Sequence, residues 1–236
     1  MTVLAGSASA DIATQTGIEV APNARFVLEY AQGRLQLRDT ATGAPGPLWV
    51  DLLSPQLESR RKAGRGLLLA KACGVRKGKP LPRIFDATAG LGRDAFTLAA
   101  LGCEVVAMER SLVVQALLAD GLARALASGD VAARRVQLVP GQAATRLVAR
   151  PAADTVLLDP MFPQDDRSAL SRKEMQYFQA LLGPDNDEAA LFGAAMESSV
   201  RRVVVKRPRI APRIDATRPV DVVFEGKSVR FDVYLT

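Results

Sequence analysis

The stretch RIFDATAGLGRDAFTLAALGCEVVAME, residues 83–109, contains the clearest signal of the fold. It begins with a short apolar run that leads into glycine, which predicts a strand and a tight turn. RDAFTLAALG then predicts a helix that ends at Gly102, and CEVVAME predicts a second strand. A strand, a helix and a strand in one short segment predict a parallel βαβ unit.

The same alternation continues to the C-terminus. Ser111 is placed to cap a helix that Gly129 ends, and a later helix has Ser168 as its cap and Gly183 at its end. The other predicted strands are VQLVPG, DTVLLDP, VRRVVVKRP and an antiparallel terminal pair, VDVVFEG and KSVRFDVYL. DEAALFGAAMESS adds a further helix. This order predicts a doubly wound, Rossmann-like α/β sheet with an antiparallel C-terminal hairpin.

The N-terminal part has a different pattern. Residues 25–38, RFVLEYAQGRLQLR, alternate apolar and polar positions around a glycine and predict a hairpin. Residues 54–73 predict one helix that ends at Gly74. We therefore divide the chain into a small β-rich extension, residues 1–53, and a Rossmann-like domain, residues 54–236.

Composition excludes several kinds of chemistry. The chain has 236 residues, no histidine and only two cysteines. Catalytic triads that use histidine and nearly all common zinc sites are thereby excluded, and we expect no metal. No apolar run is long enough for a membrane span, and the first twenty residues lack the Lys or Arg of a secretory signal. We expect a cytoplasmic protein.

Basic residues are concentrated in two runs. Residues 60–83 hold nine Lys or Arg and residues 201–213 hold six, with no acidic residue in either run. Runs of one sign suit a polyanion, although a solvated basic surface is the alternative. We expect nucleic acid as the partner, with these residues as candidate contacts: Arg60, Arg61, Lys62, Arg65, Lys206 and Arg207.

Two predicted strand ends suit an adenosine-containing ligand. Gly90 and Gly92 allow the backbone to approach a ligand before the next helix begins. Glu109 ends the following strand, where an acid accepts hydrogen bonds from ribose hydroxyls. The segment GLGRDA also satisfies the dinucleotide pattern, so these loops do not separate NAD from S-adenosylmethionine.

A third strand end, LLDPMFPQ at residues 157–164, favours methyl transfer. Asp159-Pro-Met-Phe resembles the [Asn/Asp/Ser]-Pro-Pro-[Tyr/Phe] motif of methyltransferases that modify exocyclic amines of nucleobases. Asp159 and the Pro160 carbonyl would accept the N–H groups of the amine and aim its lone pair, while Phe162 would stack on the base. A dehydrogenase has no use for such a loop.

The chain resembles the bacterial ribosomal RNA small subunit methyltransferase J family over residues 48–236. The resemblance rests on DATAGLGRDAF, MERSLVVQALLADGLARA, LLDPMFP, SALSRKEMQYFQALLGPD, and RVVVKRP with the RFDVYL ending. It implies a class I methyltransferase fold, S-adenosylmethionine as donor, and N2 methylation of a guanosine near the 3′ end of 16S ribosomal RNA, alone or in the small ribosomal subunit. The donor-binding residues implied are Arg93, Asp94, Glu109, Arg110, Gln142, Ala143 and Asp159, beside the loop residues Asp86, Gly90 and Gly92.

Two departures from the usual patterns concern this donor site. GQAA stands where the family has small hydroxyl residues, so the adenine contact falls to Gln142 or to the backbone. Thr88 replaces the first of three alternate glycines that methyltransferases usually have. An NAD-linked oxidoreductase and a non-enzymatic RNA-binding module are the alternative functions.

Overall fold

A computed structural model describes residues 4–5, 17–18, 21, 24–149, 151–160, 172–182 and 187–236. Its strands are β1 (Leu4–Ala5), β2 (Phe26–Ala31), β3 (Arg34–Asp39), β4 (Ile84–Asp86), β5 (Val105–Glu109), β6 (Val136–Pro140), β7 (Thr155–Leu158), β8 (Arg202–Pro208), β9 (Val222–Glu225) and β10 (Val229–Leu235). Its α-helices are α1 (Pro55–Ala63), α2 (Leu68–Ala72), α3 (Arg93–Ala100), α4 (Leu112–Ala127), α5 (Ala143–Val148), α6 (Arg172–Leu182) and α7 (Glu188–Glu197).

The central sheet has the strand order β6-β5-β4-β7-β8-β10-β9. Every pairing from β6 to β8 is parallel, whereas β10 runs antiparallel to both of its neighbours. The predicted Rossmann-like sheet with a reversed C-terminal strand is thus confirmed. The strand order changes direction between β4 and β7, and in such sheets ligands bind beyond the carboxyl ends of the strands at that point.

Side-chain alternation divides the core between the two faces of the sheet. Ile84 of β4 and Val204 of β8 belong to the hydrophobic cluster beneath α3 and α4. Their neighbours Phe85 and Val203 belong to a second cluster, which includes Phe192 of α7. Because alternate residues of a strand face the same side, this pattern also fixes the direction of the polar residues at the strand ends.

One local prediction was wrong, and one short helix was missed. Residues 54–73 do not form one helix: α1 ends at Gly64, whose φ of 61° is left-handed, and a 3-10 turn separates α1 from α2. The short helix α5 was not predicted, because Leu147 is its only fully buried residue and gives no helical repeat. Ser111 caps α4 as predicted, since its side chain accepts a hydrogen bond from the Val114 N–H.

The N-terminal hairpin β2–β3 packs against the main sheet domain. Its buried residues Leu28 and Leu37 lie in the same hydrophobic cluster as the helices α3 and α4. The Asp39 N–H donates to the Tyr177 hydroxyl of α6 at 3.1 Å. The domain boundary at residue 53 stays a prediction. Among the described helices, none has the length and apolarity needed to cross a membrane.

Gly92 is required where α3 meets α4. Its φ is 74°, and a Cβ built on it would lie 2.3 Å from Cδ1 of Leu118. Leu118 is completely buried in the core, so it has no space into which to retreat. Close contact between the two helices therefore depends on the absence of a side chain at residue 92.

We predict that Gly92→Ala destabilises the protein more than Gly129→Ala does. Gly129 has a φ of 86° but open space around its Cβ position, so alanine there carries only the left-handed backbone penalty, about 1–2 kcal/mol. The collision with Leu118 should add about 1–3 kcal/mol. Urea unfolding of both variants measures the difference, and equal losses would contradict the packing argument.

Candidate active site

Three polar side chains from adjacent strands meet at the carboxyl edge of the sheet. β4 ends at Asp86, Asp159 follows β7, and Lys206 lies near the end of β8. Leu158 pairs with Val205, so the parallel register places Asp159 beside Lys206. By alternation, all three side chains point to the face that α3 covers. They line a pocket at this edge.

A chain of alternating charges occupies the floor of this pocket. Lys206 Nζ donates to Asp159 Oδ2 at 2.7 Å and to Asp94 Oδ2 at 2.8 Å. Arg60 Nη2 donates to the other oxygen of Asp94 at 2.5 Å. We call these four residues, in the order Arg60–Asp94–Lys206–Asp159, the ion chain. Its two cations and two anions sum to zero charge.

The members of the ion chain differ in exposure. The side chains of Asp94 and Lys206 are 10% and 13% exposed, whereas that of Asp159 is 39% exposed. Burial acts against ionisation of Asp94, but Lys206 and Arg60 hold its pKa well below the usual value. Burial raises the pKa of Asp159, and Lys206 opposes this rise. Asp159 is thus the carboxylate of the chain that a ligand can reach.

The backbone of Asp159 is held as well. Its N–H donates to Thr88 Oγ1 at 2.6 Å. Thr88 replaces a glycine of the usual methyltransferase pattern. Its hydroxyl accepts the Asp159 N–H, which glycine has no side chain to do. Pro160 is buried and lines the pocket. Phe162, the predicted stacking residue, lies outside the described residues.

Asp86 is the most deeply buried acid of the pocket. It is 2% exposed, and the Thr88 N–H donates to its Oδ1 at 3.2 Å. Burial, together with the nearby charge of Asp94, raises the pKa of Asp86 to about 8. At neutral pH the folded protein therefore keeps a proton on Asp86.

Glu109 connects the glycine loop to the helix that follows β5. Its Oε2 accepts from the Gly90 N–H at 3.0 Å and its Oε1 from the Ser111 N–H at 2.8 Å. Burial raises the pKa of Glu109. Each oxygen keeps a second lone pair, so these bonds are compatible with the predicted ribose contact. Replacing Glu109 would also release two backbone N–H groups, and we expect a loss of stability beside any loss of ligand affinity.

The two arginines of the predicted donor set are bonded to acids across the pocket. Arg93 forms a two-point ion pair with Glu174 of α6, and Arg110 Nη1 lies 3.2 Å from Asp187 Oδ1. Gln142 and Ala143 also line the pocket, on its β6 side. The structure therefore brings all of the predicted donor-side residues except Gly92 to the lining of one pocket.

Sequence reasoning missed α6 as a wall of this pocket. Met175, Phe178 and Leu182 supply its apolar surface. Lys173 Nζ donates to the Pro47 carbonyl at 2.7 Å, which ties α6 to the N-terminal part of the chain. The N-terminal hairpin and the loop after it thus support a wall of the site. Sequence alone gives no signal for contacts between segments so far apart.

The predicted RNA-binding residues fall into two groups. Arg61 Nη1 bonds to Asp130 at 2.6 Å, and Arg207, which is 4% exposed, lies 3.9 Å from Glu188. With Arg60 and Lys206 in the ion chain, these four side chains are paired with acids. Lys62, at 76% exposure, lies 3.7 Å from Glu58 of the same helix, and both it and the exposed Arg65 face solvent. Pairing of Lys206 and Arg207 with an acid such as Glu174 is the structural alternative to phosphate contacts. Both side chains do lie near acids, but these are Asp94, Asp159 and Glu188, and Glu174 binds Arg93.

Comparison with known proteins agrees with the fold. The family model described as "Putative SAM-dependent methyltransferase" matches residues 11–236. The ribosomal RNA small subunit methyltransferase J of Stutzerimonas stutzeri is 47% identical over 218 residues, which are 89% of this chain and 83% of the relative. That of Ectopseudomonas mendocina is 46% identical over 233 residues, 96% and 89% of the two chains. The crystal structure of a SAM-dependent methyltransferase from Neisseria gonorrhoeae superposes with a TM-score of 0.75 at 33% identity, covering 100% of this chain and 96% of that one.

The fold and the family match are those of a class I methyltransferase that uses S-adenosylmethionine. With these identities over nearly the whole length, the chain belongs to the ribosomal RNA small subunit methyltransferase J family. The choice between NAD and S-adenosylmethionine, which the glycine loop left open, is thereby decided, and the chain is an enzyme.

The pocket residues fit this donor. A Cβ built on Gly90 would meet no atom nearer than the Thr88 carbonyl oxygen at 4.0 Å, so the backbone there borders open space in which a ligand can lie. Carboxylates suit the sulfonium and ammonium charges of the donor, and Glu109 suits its ribose. When bound, S-adenosylmethionine supplies an electrophilic methyl group.

We predict that Gly90→Ala weakens binding of S-adenosylhomocysteine, because the added methyl group enters the space of the donor. Isothermal titration measures the affinity. Gly129→Ala is the matched control, since both glycines have positive φ and open surroundings but only Gly90 lines the pocket. Equal affinity of the two variants would place the donor elsewhere.

We predict that Asp86→Asn removes a pH dependence of stability. The pKa of Asp86 is about 8 in the folded protein and near the ordinary 3.8 when unfolded. Between these values the folded state holds the additional proton, so stability falls as pH rises, by about 1.4 kcal/mol per pH unit from this group, and levels off above pH 8.

Urea unfolding of the wild type and Asp86→Asn from pH 4.5 to 8 tests this expectation. Asparagine keeps the shape and the oxygen that accepts from Thr88, but it does not titrate. The stability of the wild type relative to the variant should fall steadily over this range. Parallel curves would mean that Asp86 is ionised in the folded protein.

Proposed function

We propose that the enzyme transfers a methyl group to the exocyclic N2 amine of a guanosine in small-subunit ribosomal RNA, near the 3′ end of the 16S molecule. The observation that carries the proposal is the position of Asp159: a carboxylate partly exposed to the pocket, in an Asp-Pro-Met-Phe segment, beside the donor-side residues. The names of the family relatives support ribosomal RNA as the substrate. A ribosomal substrate also favours a cytoplasmic location.

An exocyclic amine needs help to act as a nucleophile because its lone pair is delocalised into the ring. Asp159 and the Pro160 carbonyl would accept its two N–H groups and so aim the lone pair at the methyl carbon. The nitrogen forms its bond to that carbon as the carbon–sulfur bond breaks, which leaves S-adenosylhomocysteine. The nitrogen then gives up one proton, through Asp159, to water. The anionic Asp159 favours the positive charge that develops on nitrogen.

The target base must leave its stack to reach this pocket. Phe162 would then stack on the flipped base, as the motif implies. Gln142, or the backbone beside it, would contact the donor adenine. Glu109 would bind the donor ribose hydroxyls.

RNA outside the pocket would contact the basic surface of α1 and the turn after it. Lys62 and Arg65 are its exposed members, and they neutralise phosphates without reading sequence. Arg60, Arg61, Lys206 and Arg207 are less exposed and pair with acids from elsewhere in the chain, whereas the ion pair of Lys62 with Glu58 lies at the surface. We therefore assign phosphate contacts first to Lys62 and Arg65.

We predict that small subunits from a strain lacking the gene gain N2-methylguanosine when incubated with the enzyme and S-adenosylmethionine. Asp159→Ala should lower the single-turnover rate by about a hundredfold or more, since misplacement of reacting groups by about 1 Å has an effect of that order. Nucleoside mass spectrometry with N1-, N2- and N7-methylguanosine standards identifies the product.

The affinities for S-adenosylhomocysteine and for RNA must be measured on the same Asp159→Ala protein, because Asp159 also borders the donor. Naked 16S RNA, assembly intermediates and complete subunits serve as parallel substrates. A different methylated nucleoside would refute the N2 assignment. A variant that binds both ligands and methylates at the parent rate would remove Asp159 from the reaction.

A further inference from the structure

Lys206 occupies an unusual place for a lysine. Its side chain is 13% exposed, and its ammonium group lies between two carboxylates from different elements, Asp94 of α3 and Asp159 after β7. Burying an ammonium group is unfavourable unless it is paired and hydrogen-bonded. Both conditions are met here, at 2.8 and 2.7 Å. One of the partners is the residue to which we assign the target amine.

We infer that Lys206 is a positioning residue for methyl transfer: it holds Oδ2 of Asp159 so that Oδ1 is directed at the target amine. The inference rests on the proposed function and extends it to a residue outside the Asp-Pro-Met-Phe segment. The Thr88 hydroxyl holds the backbone of Asp159 at 2.6 Å. Asp159 is thus fixed at its main chain from the loop after β4 and at its side chain from β8.

Asp94 and Arg60 keep Lys206 in place. Asp94 bonds Lys206 through Oδ2 and Arg60 through Oδ1, so neither cation displaces the other. Arg60 acts on Asp159 only at a distance. This difference provides a matched control: Arg60→Met removes a cation from Asp94 but leaves the bond between Lys206 and Asp159.

The charges around Asp159 come from four elements. Lys206 of β8 and Arg60 of α1 favour its ionised form, while Asp94 of α3 disfavours it. The charge of Asp159 in turn raises the pKa of Asp86 of β4. Without Lys206, Asp159 would keep two acids nearby and lose its nearest cation. Its pKa would then rise further above the ordinary value, and a protonated carboxyl is a poor acceptor for the amine.

The test compares Lys206→Met, Lys206→Arg and Arg60→Met with the wild type in single-turnover methylation from pH 5 to 9. Lys206→Met should lose about a hundredfold in the single-turnover rate constant, and the acidic limb of its pH–rate profile should move to higher pH. Lys206→Arg should keep the limb near its wild-type position and recover part of the rate. Arg60→Met should move the limb less than Lys206→Met does.

A second measurement needs no substrate. The carboxyl carbon of Asp159, assigned by comparison with Asp159→Asn, is titrated by NMR in the ligand-free protein. Its pKa should be higher in Lys206→Met than in Lys206→Arg or the wild type. If Lys206→Met does not fold, the inference requires that Lys206→Arg folds with a wild-type Asp159 titration and a reduced single-turnover rate constant.

The outcomes separate the two proposals. A wild type that forms no N2-methylguanosine while Asp159 titrates as described would refute the proposed function, but it would still support the pairing of Lys206 with Asp159. A wild type that forms it, with an unchanged rate and limb in Lys206→Met, would overturn the role of Lys206. An equal shift of the limb in Arg60→Met would also overturn it, because the effect would then pass through Asp94.

Discussion

The bond between the buried Lys206 ammonium group and the carboxylates of Asp94 and Asp159 is the interaction on which the site depends. It connects β8, α3 and the loop after β7, which are the elements that surround the point where the strand order changes direction. Removing one partner of such a group leaves an uncompensated buried charge, which commonly destabilises a protein by about 3–5 kcal/mol. The same bond therefore stabilises this edge of the sheet and orients the carboxylate that borders the pocket.

The regular geometry of a parallel sheet explains why these groups meet. The register of β7 with β8 places Asp159 next to Lys206, and alternation turns both side chains towards α3. The next residue, Arg207, faces the other side of the sheet and lies near Glu188 of α7. Two consecutive basic residues thus have different surroundings, and a basic run in the sequence does not by itself define a surface.

The sequence was sufficient to predict the order of strands and helices, because apolar periodicity and glycine stops are local signals. It also identified most of the residues on the donor side of the pocket, from the strand-end loops and the family resemblance, but not the apolar wall that α6 supplies. The break at Gly64 depends on one left-handed glycine, which a helical apolar pattern conceals. The partners of Arg60, Arg93 and Lys206 lie 34 to 112 positions away in the chain, and no local pattern predicts pairs at such separation.

A double-mutant cycle on the single-turnover rate constant tests most directly whether Lys206 and Asp159 act as one unit. Asp159→Asn, Lys206→Met and the double variant are compared in single turnover with saturating donor and RNA. Residues that act as a unit give non-additive losses, so we predict that the double variant is no slower than the slower single variant. Losses that multiply would show that the two residues contribute independently, and would contradict this account of the site.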